Sequence, residues 1–158
     1  MDPLKLTSPA FGEGGSIPKR HTGFGENLSP ALCLSGLCDA AVSVTLVLDD
    51  LDVPFCKTYC HWLVWNLPPV AELPEGIPHG SSLPALGNAA QGIGYGVHRY
   101  RGPYPPPFLR TLHRYVFRAY ALDCRLNLPS TARRRTLMKA MSGHILQEAS
   151  LLGTFLRP

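Results

Sequence analysis

Three runs dense in β-branched and aromatic residues constrain this chain more than anything else in it. They are Ser43–Asp49 (SVTLVLD), Tyr59–Leu67 (YCHWLVWNL) and His113–Leu122 (HRYVFRAYAL). Each is apolar on both parities, so each reads as a strand covered on both faces rather than one with a wet side. A strand of that kind needs a layer of structure above it and another below. The 158 residues allow one domain with one such core. With 15 Gly and 16 Pro the chain is punctuated far too often for a helical bundle.

Weaker signals fill in the rest. Leu4 and Leu6 alternate with Lys5 and Thr7, the pattern of a short first strand. Residues 11–36 are rich in Gly, Ser, Pro and Asn and read as turns and irregular loop. Residues 68–110 hold 9 of the 16 prolines, a loop excursion so long that it implies a function. Beyond Pro129, Ser130 or Thr131 is a good helix N-cap. Leu137, Met141, Ile145, Ala149 and Leu152 then recur at helical spacing. Gly143 interrupts that stripe, which predicts two short C-terminal helices. The expected architecture is a single mainly-β domain over residues 1–158 with a helical appendage at its end.

Charge is unevenly spread. Residues 1–97 carry 4 Lys/Arg against 9 Asp/Glu, and residues 98–158 carry 11 against 2. No basic run is interleaved with aromatics, so a nucleic-acid platform is not expected. Arg133, Arg134 and Arg135 fall in the first turn of the expected helix, where cations oppose the helix dipole. They read as a solvated face. Cys33, Cys38, Cys56, Cys60 and Cys124 are odd in number and lack C-x-x-C spacing. They imply neither a disulfide framework nor a metal ribbon. No apolar run is long enough to span a bilayer, and Met-Asp-Pro opens no signal peptide. A reduced, cytoplasmic setting is the expectation.

P-loop, HExxH and G-x-S-x-G patterns are absent, and no cofactor is implied. The chemistry-bearing residues instead sit at the ends of the apolar strands. Asp50 and Asp52 follow the first. His61 lies in the second. His113 and Tyr115 open the third at the same parity, so they share a face. A buried imidazole needs a partner, and a carboxylate is the natural one. Spacing alone leaves satisfied core histidines, anion binding, acid–base chemistry and a metal site all open.

Three stretches resemble the phosphatidylethanolamine-binding protein family, most closely its bacterial and archaeal Raf-kinase-inhibitor-like branch. Asp50-Leu51-Asp52-Val53-Pro54 is similar to D-P-D-x-P, and His61–Pro68 (HWLVWNLP) to H-W-V-V-W-N-I-P. Gly102-Pro103-Tyr104-Pro105-Pro106 followed by His113-Arg114-Tyr115-Val116-Phe117 is similar to G-P-x-P-P and H-R-Y-x-F. The resemblance implies a Greek-key antiparallel β-sandwich with a strand-end pocket lined by Asp50, His61, His113 and Tyr115. Pro54 and the Gly102–Pro106 segment, with Gly102, Pro103 and Pro105 among its ligand-binding residues, would shape the rim, and Asp52 would complete the set. It implies a non-catalytic ligand-binding or regulatory module that takes a phosphate-like anion or phospholipid headgroup. A kinase-type protein partner is implied only in that way. The alternative is a small hydrolase or transferase using the two histidines as acid and base.

Two departures bear on the pocket. Leu51 replaces a proline, which is expected to loosen the backbone around Asp50. Cys33 stands where bacterial relatives carry tryptophan, and the smaller residue is expected either to leave a hole or to be refilled by a neighbour. The branch tends to form homodimers, and apolar loop residues supply material for one: Val70, Leu73, Ile77, Leu83, Leu86, Ile93, Tyr95, Phe108 and Leu109.

Overall fold

The computed structural model describes residues 2–158 and forms two sheets. The strands are β1 (Lys5–Thr7), β2 (Gly15–Ser16), β3 (Leu32–Ser35), β4 (Ser43–Asp50), β5 (Tyr59–Leu67), β6 (Glu72–Leu73), β7 (Ser82–Leu83), β8 (Ala89–Gln91), β9 (His113–Leu122) and β10 (Ile145–Phe155). One helix, α1 (Arg134–Met141), lies between β9 and β10. The smaller sheet runs β1-β3-β6 and the larger β2-β10-β9-β4-β5-β8-β7. Pairing is antiparallel throughout except between β10 and β2.

The three apolar runs become β4, β5 and β9, adjacent at the centre of the larger sheet. Every residue of β4 is buried, and the two layers that cover it are distinct. On one face Val44, Leu46 and Leu48 meet Leu6, Leu32, Leu34 and other side chains of the small sheet and its flanking loops. On the other Val47, with Leu63, Trp65 and Tyr120 beside it, meets Leu126, Ala132, Leu137 and Met141 of the α1 region. The sandwich forms the first core and α1 closes the second.

The C-terminus differs from expectation. Only residues 134–141 are helical, and Ile145–Phe155 is the longest strand. Gly143 does separate two elements, at φ +84°, a left-handed turn that favours glycine. Beyond it, β10 pairs with β9 from Ile145↔Leu122 to Phe155↔His113. Leu151, Gly153 and Phe155 alternate inward, a period of two that the helical stripe masked. The helix has neither Ser130 nor Thr131 as cap. Arg133 occupies that position without a side-chain bond.

Of the three arginines read as a solvated face, Arg133 and Arg135 are exposed, and only Arg134 departs from that reading. Asp49 is fully buried and holds Arg134 together with Arg118 of β9. Arg134 Nε lies 3.0 Å from Asp49 Oδ1, and Arg118 Nη1 lies 2.9 Å from Oδ2. The cation at the start of α1 is thus neutralised by a carboxylate from the sheet beneath it, which offsets the unfavourable dipole. The loop regions hold short strands, β2 and β3 within 11–36 and β6 to β8 within 68–110. Two to four residues between prolines and glycines are too few to show a period. Cys33 leaves no hole, because it sits half-buried between the inward Leu32 and Leu34 and so points away from the core.

Candidate functional site

Antiparallel pairing brings the end of β4 to the start of β5 and of β9. Asp50 lies opposite Tyr59 on one side and Tyr115 on the other. Asp50, His61, His113 and Tyr115 therefore gather at one end of the sheet. They line one cavity of about 360 Å³ together with Pro54, Pro105 and an aromatic wall. All four are almost fully buried.

The polar atoms at its base have defined roles. His113 Nδ1 donates to Asp50 Oδ2 at 2.8 Å, and the other Asp50 oxygen accepts the Asp52 backbone N–H at 2.8 Å. The carboxylate is thereby held between its own loop and β9. His61 Nδ1 lies 2.7 Å from the Arg101 carbonyl. That carbonyl only accepts, so Nδ1 carries the proton and Nε2 holds the lone pair in the neutral ring. Burial pushes the His61 pKa below the usual histidine value, against the pull of the Arg101 carbonyl and of Asp50. Burial, with Asp50 beside it, pushes the Tyr115 phenol well above the usual tyrosine range. The His61 and Tyr115 rings meet edge to face with centroids 5.6 Å apart. Two buried atoms at this base have no partner, His113 Nε2 and the Tyr115 hydroxyl.

Leu51 does the opposite of loosening. Its backbone N–H donates to the Arg114 carbonyl at 2.9 Å, a bond that proline has no hydrogen to make. Asp52 does not line the cavity. Its carboxylate grips Arg114 through Nε at 3.0 Å, Nη2 at 2.9 Å and the backbone N–H at 2.7 Å. That grip holds the Asp52 carboxyl below its usual range and pins the 50–54 loop to β9.

Gly102 and Pro103 also stand behind the wall. Gly102 donates its N–H to Asn27 Oδ1 at 2.8 Å, and a Cβ there would collide with the His21 carbonyl. The Pro103 carbonyl accepts the Gly23 N–H at 2.9 Å. Pro105 reaches the cavity, and its carbonyl accepts from Arg157 Nη1 at 2.8 Å. The residues that sequence reasoning missed are four of the aromatic wall: Phe55, Tyr59, Tyr95 and Phe108. The fifth, Tyr104, lies inside the Gly102–Pro106 segment expected at the rim. Phe55 and Tyr95 come from loops with no periodicity, where both adopt positive φ.

The comparisons agree with this fold. A profile of the phosphatidylethanolamine-binding protein family matches residues 7–156. A UPF0098 protein of Pyrococcus horikoshii is 41% identical over 98% of this chain and 77% of its own length. One from Methanothermobacter thermautotrophicus is 41% identical over 98% of this chain and 99% of its own length. The crystal structure of the phosphatidylethanolamine-binding protein homolog CT736 from Chlamydia trachomatis superposes with a TM-score of 0.88 at 36% identity, covering 100% of both chains. Escherichia coli YbcL shares the fold alone, with a TM-score of 0.86 at 23% identity over 99% of this chain and 100% of its own. With the profile spanning nearly the whole chain and a relative's fold superposing along its full length, this protein belongs to the phosphatidylethanolamine-binding protein family.

Proposed function

We propose that this protein is a ligand-binding or regulatory module whose strand-end cavity takes an anionic, phosphate-type group. One observation carries the reading: His113 Nε2 and the Tyr115 hydroxyl are buried at the cavity base with no partner. Buried polar groups are rarely left unsatisfied, and a ligand oxygen would satisfy both. The aromatic wall above them suits the apolar or cationic remainder of such a ligand, as on a phospholipid headgroup or a phosphorylated protein.

A hydrogen bond from an imidazole Nε2 to a fully ionised oxygen requires a proton on that nitrogen. In both His61 and His113 the Nδ1 proton is already committed. The anion therefore binds together with a proton, and affinity rises as pH falls. The acid–base alternative draws on the Asp50–His113 pair, but among the described residues no Ser, Thr or Cys lines the cavity to act as nucleophile.

Calorimetry with inorganic phosphate at pH 6 and pH 8 tests the reading. Saturable binding is expected, tighter at pH 6, lost in His113→Ala and weakened about tenfold in Tyr115→Phe. His79→Ala, on an exposed loop, retains it. No saturation at millimolar phosphate at either pH overturns the proposal. The five cysteines are free thiols, which supports a reduced, cytoplasmic setting. No helix among the described residues is long and apolar enough to cross a membrane.

A further inference from the structure

At the opposite end of β9 from the cavity, three side chains of different chemistry converge. Asp123 and Cys124 follow β9 directly, and His144 immediately precedes β10. Their ligating atoms all lie within 4.8 Å of one another, and this is the one such group of three among the described residues. The ten residues of β9 put this place about 30 Å from the anion cavity.

We propose that Asp123, Cys124 and His144 form a binding site for a thiophilic divalent cation of the Zn²⁺ class. A thiolate, an imidazole and a carboxylate are the donor set that zinc takes, at roughly 2.3 Å to sulfur and 2.0–2.2 Å to nitrogen and oxygen. Those bond lengths put ligand atoms about 3.3–3.7 Å apart in a tetrahedron. The three atoms need only small side-chain rotations to reach that spacing. His144 Nδ1 now lies 2.8 Å from Asp123 Oδ1. The cation would enter between them, with the imidazole proton shifting to Nε2 and the Cys124 thiol giving its proton to the buffer.

The backbone holding the three is already fixed. The Asp123 N–H donates to the His144 carbonyl at 3.1 Å, and Ser43 Oγ donates to the Cys124 carbonyl at 2.6 Å. Ile145 and Leu122 are paired across the sheet. Ordering the ligands thus costs little on binding. Asp123 and His144 are about half exposed, so a fourth position is open to water. Bound there, the cation would clasp the turn between α1 and β10 to the end of β9. In sequence, Cys124 and His144 are far apart with no ligand spacing to announce them, and only the pairing of β9 with β10 brings them together.

The test is a Co²⁺ titration of the intact, reduced protein, followed by its absorption spectrum. A saturable near-ultraviolet thiolate-to-cobalt charge-transfer band is expected, bleached by added Zn²⁺. Cys124→Ser and Cys124→Ala should each abolish the band while circular dichroism shows the fold intact. His144→Asn should weaken cobalt affinity by roughly tenfold or more. Cys56→Ser, which alters an exposed thiol elsewhere, should leave the band unchanged. No band at millimolar Co²⁺, or a band that survives both Cys124 variants, overturns the site.

Discussion

Asp50 serves two neighbours at once, and that makes it the most consequential side chain at the cavity base. One oxygen closes its own loop and the other orients His113. Asp50→Ala leaves the buried His113 Nδ1–H unpaired, so a loss of about 1–3 kcal/mol in unfolding free energy is expected. Phosphate affinity should fall with it, since the His113 ring is then free to turn. His61 contributes through its protonation. Its folded pKa lies below the unfolded value, so the unfolded chain takes up the proton first as pH falls. Stability from this residue is complete above the ordinary histidine pKa of about 6.5 and declines below it. Urea midpoints at pH 8 and pH 5 check this. The fall toward pH 5 should be smaller in His61→Gln, and an unchanged fall would remove His61 as its source.

At the scale of elements, α1 is held by one apolar anchor line and one ion cluster. Leu137 and Met141 are fully buried against Leu63, Trp65 and Leu122. Leu137→Ala should cost about 2–5 kcal/mol, read from chemical denaturation. Arg134→Ala should cost less, because Arg118 remains on Asp49 and water reaches both guanidinium groups. Elements also show where sequence reading reaches its limit. The strands β4, β5 and β9 were legible because residues buried on both faces leave a continuous apolar run. The end of the chain was not, because Ile145, Ala149 and Leu152 fit a period of 3.6 although they lie on both faces of a strand, and none of the three is fully buried. In α1 the true apolar pair, Leu137 and Met141, extended that false stripe. At the site the polar quartet was legible from strand ends. The aromatic wall was not, since loop residues such as Phe55 and Tyr95 reach the cavity through tertiary placement alone.

For the whole molecule the question is what covers its apolar surface. Of the loop residues that suggested a dimer, Leu73, Ile77 and Leu83 fold inward and belong to the core. They offer nothing to a partner. The larger exposed side chains gather instead around the cavity mouth. Phe55, Tyr59, Tyr104 and Phe108 all line it, and Phe108 is 83% exposed. Four aromatics on one rim are unusual for a free surface, and a two-fold contact is the commonest way for a chain to cover such a patch with itself. We therefore propose a homodimer through this face, which would place each cavity mouth against the partner's rim. Light scattering at tens of micromolar should give twice the chain mass of 17.2 kDa. Phe108→Asp should return the single-chain mass with the domain still folded by circular dichroism, since Phe108 packs into neither core cluster. A single-chain mass for the unaltered protein rejects the dimer and leaves the aromatic rim to the ligand alone. In that case Phe108→Ala should weaken a phospholipid headgroup more than it weakens inorganic phosphate, which calorimetry with both would show.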